Sequence, residues 1–96
     1  MYGTVARFTL KPGMEAKLTE EMKSYESLNI DGHISTTVYR MDDNPNEFYM
    51  AVIFRDKASY QKNADDPEQD KRYQRLRALL AADPEWHDGE IIYSGK

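Results

Sequence analysis

The chain contains no cysteine, and this absence removes several classes of chemistry at once. Without thiols there is no disulfide, no CxxC redox pair, no thiolate nucleophile and no cysteine-based zinc site. Histidine is also scarce, because His33 and His87 are the only two and lie far apart in sequence. A metal site would have to borrow carboxylates or a second subunit, so we predict that no metal is bound.

Long apolar runs and an excess of positive charge are missing as well. No window approaches the roughly 20 apolar residues of a membrane span, and residues 1–10 do not resemble a signal peptide. We therefore expect a cytoplasmic protein with no membrane partner. Thirteen Lys and Arg stand against seventeen Asp and Glu, a formal charge of -4, which disfavours nucleic acid as a partner.

With 96 residues the chain is expected to form a single domain, because two cores would each be too small to be stable. Runs of β-branched and aromatic residues between turn formers predict strands over residues 2–10, 33–41, 47–55 and 86–93. Apolar residues at helical spacing predict helices over 13–28 and 67–82, and Asp56 is placed to cap a short helix through residue 63. This β-α-β-β-α-β order predicts an α+β, ferredoxin-like fold with a four-stranded antiparallel sheet and helices on one face.

The third predicted strand is apolar on both faces. One alternating set is Phe48, Met50, Val52 and Phe54, and the other is Tyr49, Ala51 and Ile53. A strand of this kind is typical of the middle of a sheet that is covered on both sides. The predicted helices cover only one side, so we expect a second copy of the chain to cover the other and form a homodimer. A ligand or a different protein is the alternative occupant.

Three segments of the sequence resemble one known family. Residues 5–18 (VARFTLKPGMEAKL) are similar to the first strand and Pro-Gly turn of antibiotic biosynthesis monooxygenase domains. Residues 38–60 (VYRMDDNPNEFYMAVIFRDKASY) resemble their hairpin and short helix, and residues 65–80 (DDPEQDKRYQRLRALL) resemble their next helix. The resemblance implies a dimeric α/β barrel with a pocket between helices and sheet in each protomer. Its motifs are structural, so it is specific for the fold.

For function, the resemblance implies a cofactor-independent, monooxygenase-like enzyme whose small aromatic or quinol-type substrate itself supplies electrons to O2. Haem-degrading relatives carry an asparagine before the arginine of the first strand and a ligating histidine in the second half. Here Ala6 precedes Arg7, and residues 67–82 contain no histidine, so no haem is expected.

The competing class is a non-catalytic dimeric domain that binds a small ligand or is associated with stress. The absence of a nucleophile elbow, P-loop, GxGxxG or HExxH motif gives other enzyme classes no support.

Three residues are candidates for catalysis. Asn63 ends the short helix, where this family often carries pocket residues, and its amide could hold a phenol or quinone oxygen. Tyr73 lies on the inward stripe of the long helix and could present a hydroxyl to a pocket. His87 is the best general base by its ordinary pKa. Each residue also has a purely structural explanation: Asn63 is favoured at a helix end, Tyr73 can belong to the core, and His87 can be a surface residue.

Substrate binding has three further candidates, Arg7, Tyr60 and Trp86. A guanidinium in the apolar first strand needs a carboxylate or a ligand anion, so Arg7 forms either an intersubunit salt bridge or a binding contact. Tyr60 closes the segment that resembles the family's hairpin and short helix. Trp86 and His87 are adjacent, so in a strand they point to opposite faces and only one of them can enter a given pocket.

Overall fold

The predicted strands form one four-stranded antiparallel sheet, which confirms the ferredoxin-like α+β fold. The computed structural model describes residues 1–95. The elements along the chain are β1 (Tyr2–Thr9), α1 (Glu15–Glu26), β2 (His33–Arg40), β3 (Glu47–Phe54), α2 (Lys57–Ala64), α3 (Pro67–Arg77) and β4 (Glu85–Glu90). No helix in this part of the chain is both long and apolar enough to cross a bilayer.

The strand order is β2-β3-β1-β4, so β3 lies in the interior of the sheet as its apolar sequence predicts. In β1, Ala6 is opposite Met50 of β3 and Trp86 of β4. Close to the start of β1, Gly3 lies against the backbone of β3, and a Cβ atom there would collide with the carbonyl oxygen of Val52. Glycine is therefore required by the close approach of the two central strands.

Both helices after β3 begin at capping aspartates. The Asp56 carboxylate accepts a hydrogen bond from the Ser59 amide at 2.8 Å, and the Asp66 carboxylate accepts one from the Glu68 amide at 2.9 Å. A glutamine three residues after such a cap can accept a reciprocal bond from the cap amide, but the Gln69 side chain accepts from Arg72 instead, at 3.0 Å.

The last helix is shorter than predicted, because α3 ends at Arg77 rather than at residue 82. Leu80 follows the helix and forms an isolated antiparallel bridge with Leu10, just beyond β1. Both leucines are fully buried. The apolar spacing that predicts a longer helix thus marks burial correctly, but the backbone at Leu80 is extended to pair with the sheet.

The last strand also differs from its predicted bounds of 86–93, because β4 covers Glu85–Glu90. Glu90 is already opposite Tyr2, the first residue of β1. Ile92 and Tyr93, despite their β-forming side chains, lie beyond this pairing and are exposed.

The alternation of β1 gives the sheet two different faces. Ala6 and Phe8 face the helices and belong to the main core cluster, together with Leu18 of α1 and Leu76 of α3. The other face carries no helix. We call it the open face; by register it includes Val5, Arg7, Tyr39, Tyr49, Ala51, Ile53 and His87.

Candidate functional site

A cavity of about 820 Å³ lies between the helices and the sheet. Its floor is the helix-facing side of the four strands, and its walls come from all three helices and the turn after α1. The residues that line it are Thr4, Met22, Tyr25, Glu26, Asn29, Ile30, His33, Thr36, Val38, Met50, Val52, Phe54, Tyr60, Asn63, Ala64, Gln69, Asp70, Tyr73, Leu76, Trp86 and Asp88. This size and mixed lining are typical of small-molecule sites, which span roughly 300–1,000 Å³.

Four of the six residues singled out from the sequence line this cavity. Tyr60 and Asn63 come from α2, Tyr73 comes from α3, and Trp86 comes from β4. The Tyr73 and Trp86 rings lie 6.1 Å apart between centroids, at an interplanar angle of 54°. At this angle a flat ligand can stack on one ring and meet the other edge-on.

Arg7 and His87 do not share the cavity with the other four candidates, and of the adjacent pair Trp86 and His87 only Trp86 lines it. Arg7 and His87 lie on the open face of the sheet, where His87 is opposite Val5. The Arg7 guanidinium contacts Glu47 at 2.9 Å and Glu85 at 3.5 Å within the same chain. The hydrogen bond and charge of Glu47 raise the pKa of Arg7. Two carboxylates of the same chain therefore neutralise the charge of Arg7, so that no ligand anion is needed for this purpose.

At one end of the cavity, Tyr60 and Asp88 join α2 to β4. The Tyr60 hydroxyl donates a hydrogen bond to Asp88 Oδ1 at 2.9 Å. Burial raises the pKa of Tyr60 to about 12, and the hydrogen bond and charge of Asp88 act in the same direction. Tyr60 is thus a protonated hydrogen-bond donor at neutral pH.

Thr4 lies beside this pair. It is directly opposite Asp88 in the β1–β4 register, and its hydroxyl is close enough to Tyr60 to act against the rise in the pKa of that phenol. Thr4 is only 4% exposed, yet Thr4 Oγ1 has no hydrogen-bond partner among residues 1–95. Buried hydroxyl groups without a partner are uncommon in folded proteins, and each one calls for an explanation.

The sequence patterns do not single out Thr4 or Asp88. The alternation of strand side chains could have placed both on the helix-facing side of the sheet. Asp88 is two residues after Trp86 and shares its face, and Thr4 is two residues before the buried Ala6 and shares the face of Ala6. In the sequence, however, Asp88 reads only as a residue that weakens a strand, and a threonine in a strand is unremarkable.

Two further tyrosines add neutral hydroxyl groups to the wall. Burial raises the pKa of Tyr25, and burial followed by the charge of Asp83 raises the pKa of Tyr73. Both phenols are therefore donors and not bases at neutral pH. His33, which the sequence patterns suggest only as an isolated imidazole, also lines the cavity, with its Nε2 2.8 Å from Thr36 Oγ1. Among residues 1–95, no three His, Asp or Glu side chains come together as a metal-binding group.

The family model for antibiotic biosynthesis monooxygenase matches residues 1–78. No curated protein matches the sequence. Among solved structures, the chain is similar to SnoaB, a cofactor-independent oxygenase from Streptomyces nogalater that was solved with one asparagine replaced by alanine. The TM-score is 0.81 at 18% identity, over 97% of this chain and 94% of that chain.

Two other solved structures have the same fold. A conserved protein from Methanosarcina mazei has a TM-score of 0.78 at 22% identity, over 92% of this chain and 89% of that chain. A protein from Mycobacterium tuberculosis has a TM-score of 0.77 at 15% identity, over 99% and 98%. At these identities the likeness shows the architecture alone.

Proposed function

Since the chain belongs to the antibiotic biosynthesis monooxygenase family, we propose that it is a cofactor-independent monooxygenase acting on a small aromatic or quinol-type substrate. The observation that carries the proposal is the convergence of Tyr60, Asn63, Tyr73 and Trp86 on one cavity. The similar fold of SnoaB, a cofactor-independent oxygenase, supports this choice over other activities.

The cavity lining suits a reaction in which the substrate is the only source of electrons for the reduction of O2. A naphthol-type ring can pack against Trp86 and Tyr73, and the Asn63 amide can donate hydrogen bonds to the oxygen that is added to the ring as negative charge develops on it. For 1-naphthol the balanced reaction converts the C–H opposite the hydroxyl to a carbonyl. One atom of O2 enters the 1,4-naphthoquinone product and the other leaves as water. The protein orients the ring and stabilises the oxyanion.

The direct test is oxygen uptake by the wild-type protein with 1-naphthol and a panel of dihydroxynaphthalenes. We expect quinone formation with one labelled oxygen atom per product when the reaction runs under ¹⁸O2. Release of hydrogen peroxide without label in the product would indicate an oxidase. Binding of these compounds with no oxygen uptake would favour the competing class, a non-catalytic ligand-binding domain on the same scaffold.

The open face supports a second part of the proposal, a homodimer. Val5 is 51% exposed and Tyr39 is 56% exposed, and both are large apolar side chains on this face. Arg7, a positive charge on the same face, is already paired with Glu47 and Glu85. A second copy joined across a two-fold axis would cover these side chains with the same surface of its own sheet.

We expect light scattering at micromolar concentration to give about twice the 11.2 kDa mass of one chain. A Val5→Arg substitution should yield monomers, because it places an unpaired charge in the centre of the interface. Leu28→Arg is the matched control, since Leu28 is also an exposed apolar residue but follows α1, away from the open face. A monomeric wild type, or dimers that persist in the Val5 variant, would contradict the proposed interface.

A further inference from the structure

Three polar side chains meet at one end of the cavity. Thr4 and Asp88 are directly opposite each other on β1 and β4, and the Tyr60 hydroxyl donates to Asp88 Oδ1 at 2.9 Å. All three residues line the cavity. We call this group the Thr4–Tyr60–Asp88 cluster.

The cluster has unused hydrogen-bonding capacity. Thr4 is 96% buried, and its hydroxyl lies near the Tyr60 phenol without completing a hydrogen bond to it or to any other described residue, although it can donate one hydrogen bond and accept two. Tyr60 occupies Oδ1 of Asp88, and a carboxylate accepts hydrogen bonds at both oxygens. The Thr4 hydroxyl can therefore donate a hydrogen bond to a ligand hydroxyl group, and the Asp88 carboxylate can accept one from it.

The charges around the cavity restrict what can occupy it. Its lining includes three carboxylates, Glu26, Asp70 and Asp88, and no lysine or arginine of residues 1–95 belongs to it. A ligand that carries a carboxylate would meet repulsion from these groups in a partly desolvated site. A neutral hydroxyl group would instead form a charge-assisted hydrogen bond with the Asp88 carboxylate.

We propose that the Thr4–Tyr60–Asp88 cluster is a recognition subsite for the hydroxyl group of a neutral hydroxyaromatic ligand. The ligand hydroxyl donates to the Asp88 carboxylate and accepts from Thr4 Oγ1, while Tyr60 holds the carboxylate in place. The Trp86 and Tyr73 rings pack against the aromatic body of the ligand. The inference rests on the proposed function in that it uses the same cavity, and it narrows the substrate to uncharged phenols.

The test is calorimetric titration at pH 7 without oxygen, so that binding is separated from turnover. The probes share one ring system: 1-naphthol, 1-methoxynaphthalene, which lacks the donor, and 1-naphthoate, which is anionic. We expect 1-naphthol to bind about tenfold or more tightly than the other two, because a hydrogen bond to a charged group contributes at least this factor.

Two variants separate the members of the cluster. Thr4→Val keeps the shape of the side chain and removes the hydroxyl, so it should weaken 1-naphthol binding about tenfold and leave 1-methoxynaphthalene unchanged. Asp88→Asn should weaken 1-naphthol and strengthen 1-naphthoate. Glu90→Gln is the matched control, since it removes one negative charge from β4 at a residue outside the cavity lining. Circular dichroism confirms that each variant is folded.

Failure of the subsite and failure of the proposed reaction give different results. Absence of 1-naphthol binding, equal binding of 1-naphthol and 1-naphthoate, or affinities unchanged in both variants would overturn the subsite. If oxygen uptake by the wild type persists unchanged in Thr4→Val and Asp88→Asn, the reaction stands and the subsite falls. If hydroxyl-dependent binding is lost in both variants while no oxygen is consumed by the wild type, the subsite stands and the monooxygenase proposal falls.

Discussion

Replacing Asn63 by alanine is expected to lower turnover of 1-naphthol by about a hundredfold or more. The Asn63 amide lies on the cavity wall, where it can donate to the oxygen that gains negative charge as the ring is oxidised. Removal of one such donor typically costs about 2.7 to 4 kcal/mol of transition-state stabilisation. Tyr73→Phe should have an effect of the same kind, because it removes a hydroxyl and keeps the ring that packs near Trp86.

The measurement is the rate of oxygen uptake at saturating substrate, with light scattering and circular dichroism to confirm the fold of each variant. Asn46→Ala and Tyr93→Phe are matched controls, since Asn46 lies in the turn before β3 and Tyr93 is an exposed residue after β4, outside the cavity lining. We expect both controls to retain wild-type turnover. An active wild type whose Asn63 and Tyr73 variants keep the same rate would show that these side chains do not serve the reaction.

Leu80→Ala is expected to reduce the free energy of unfolding by about 2 to 5 kcal/mol. Leu80 is 0% exposed and packs in the main core cluster beside Leu10, with which it also forms the backbone bridge. Truncation leaves a cavity that the paired backbone prevents from collapsing. Thermal unfolding followed by circular dichroism should show a midpoint lower by about 10 °C or more.

Leu28→Ala is the control for this substitution, because Leu28 is 41% exposed and the same truncation removes far less buried surface. Its midpoint should lie close to that of the wild type. If the Leu80 and Leu28 variants unfold at the same temperature, the burial of Leu80 and the bridge to Leu10 would be contradicted.

The sequence predicts those parts of the fold that depend on local chemistry. The interior position of β3 follows from its two apolar faces, and the starts of α2 and α3 follow from Asp56 and Asp66. Two boundaries depend on pairing with a distant strand and are predicted wrongly. α3 ends early because Leu80 pairs with Leu10, and β4 ends at Glu90, which is opposite the first residue of β1.

The lining of the cavity can be predicted from the sequence only in part, for a similar reason. Tyr60, Asn63, Tyr73 and Trp86 are large or polar residues at positions where periodicity or resemblance suggests a pocket, and all four line the cavity. Thr4 gains its significance only from the register that places it opposite Asp88. Register is a property of the assembled sheet, so no pattern within a single segment can reveal it.

Because consecutive residues of β1 face opposite sides of the sheet, a substitution on one face leaves the side chains of the other face unchanged. Thr4 faces the cavity and Val5 faces outward. Point substitutions during evolution can therefore alter what the cavity accepts while the outer surface is preserved, or the reverse. A single-residue insertion within β1 would instead exchange both sets of side chains at once. Descendants of this chain should therefore diverge in β1 by replacement and keep the strand's length.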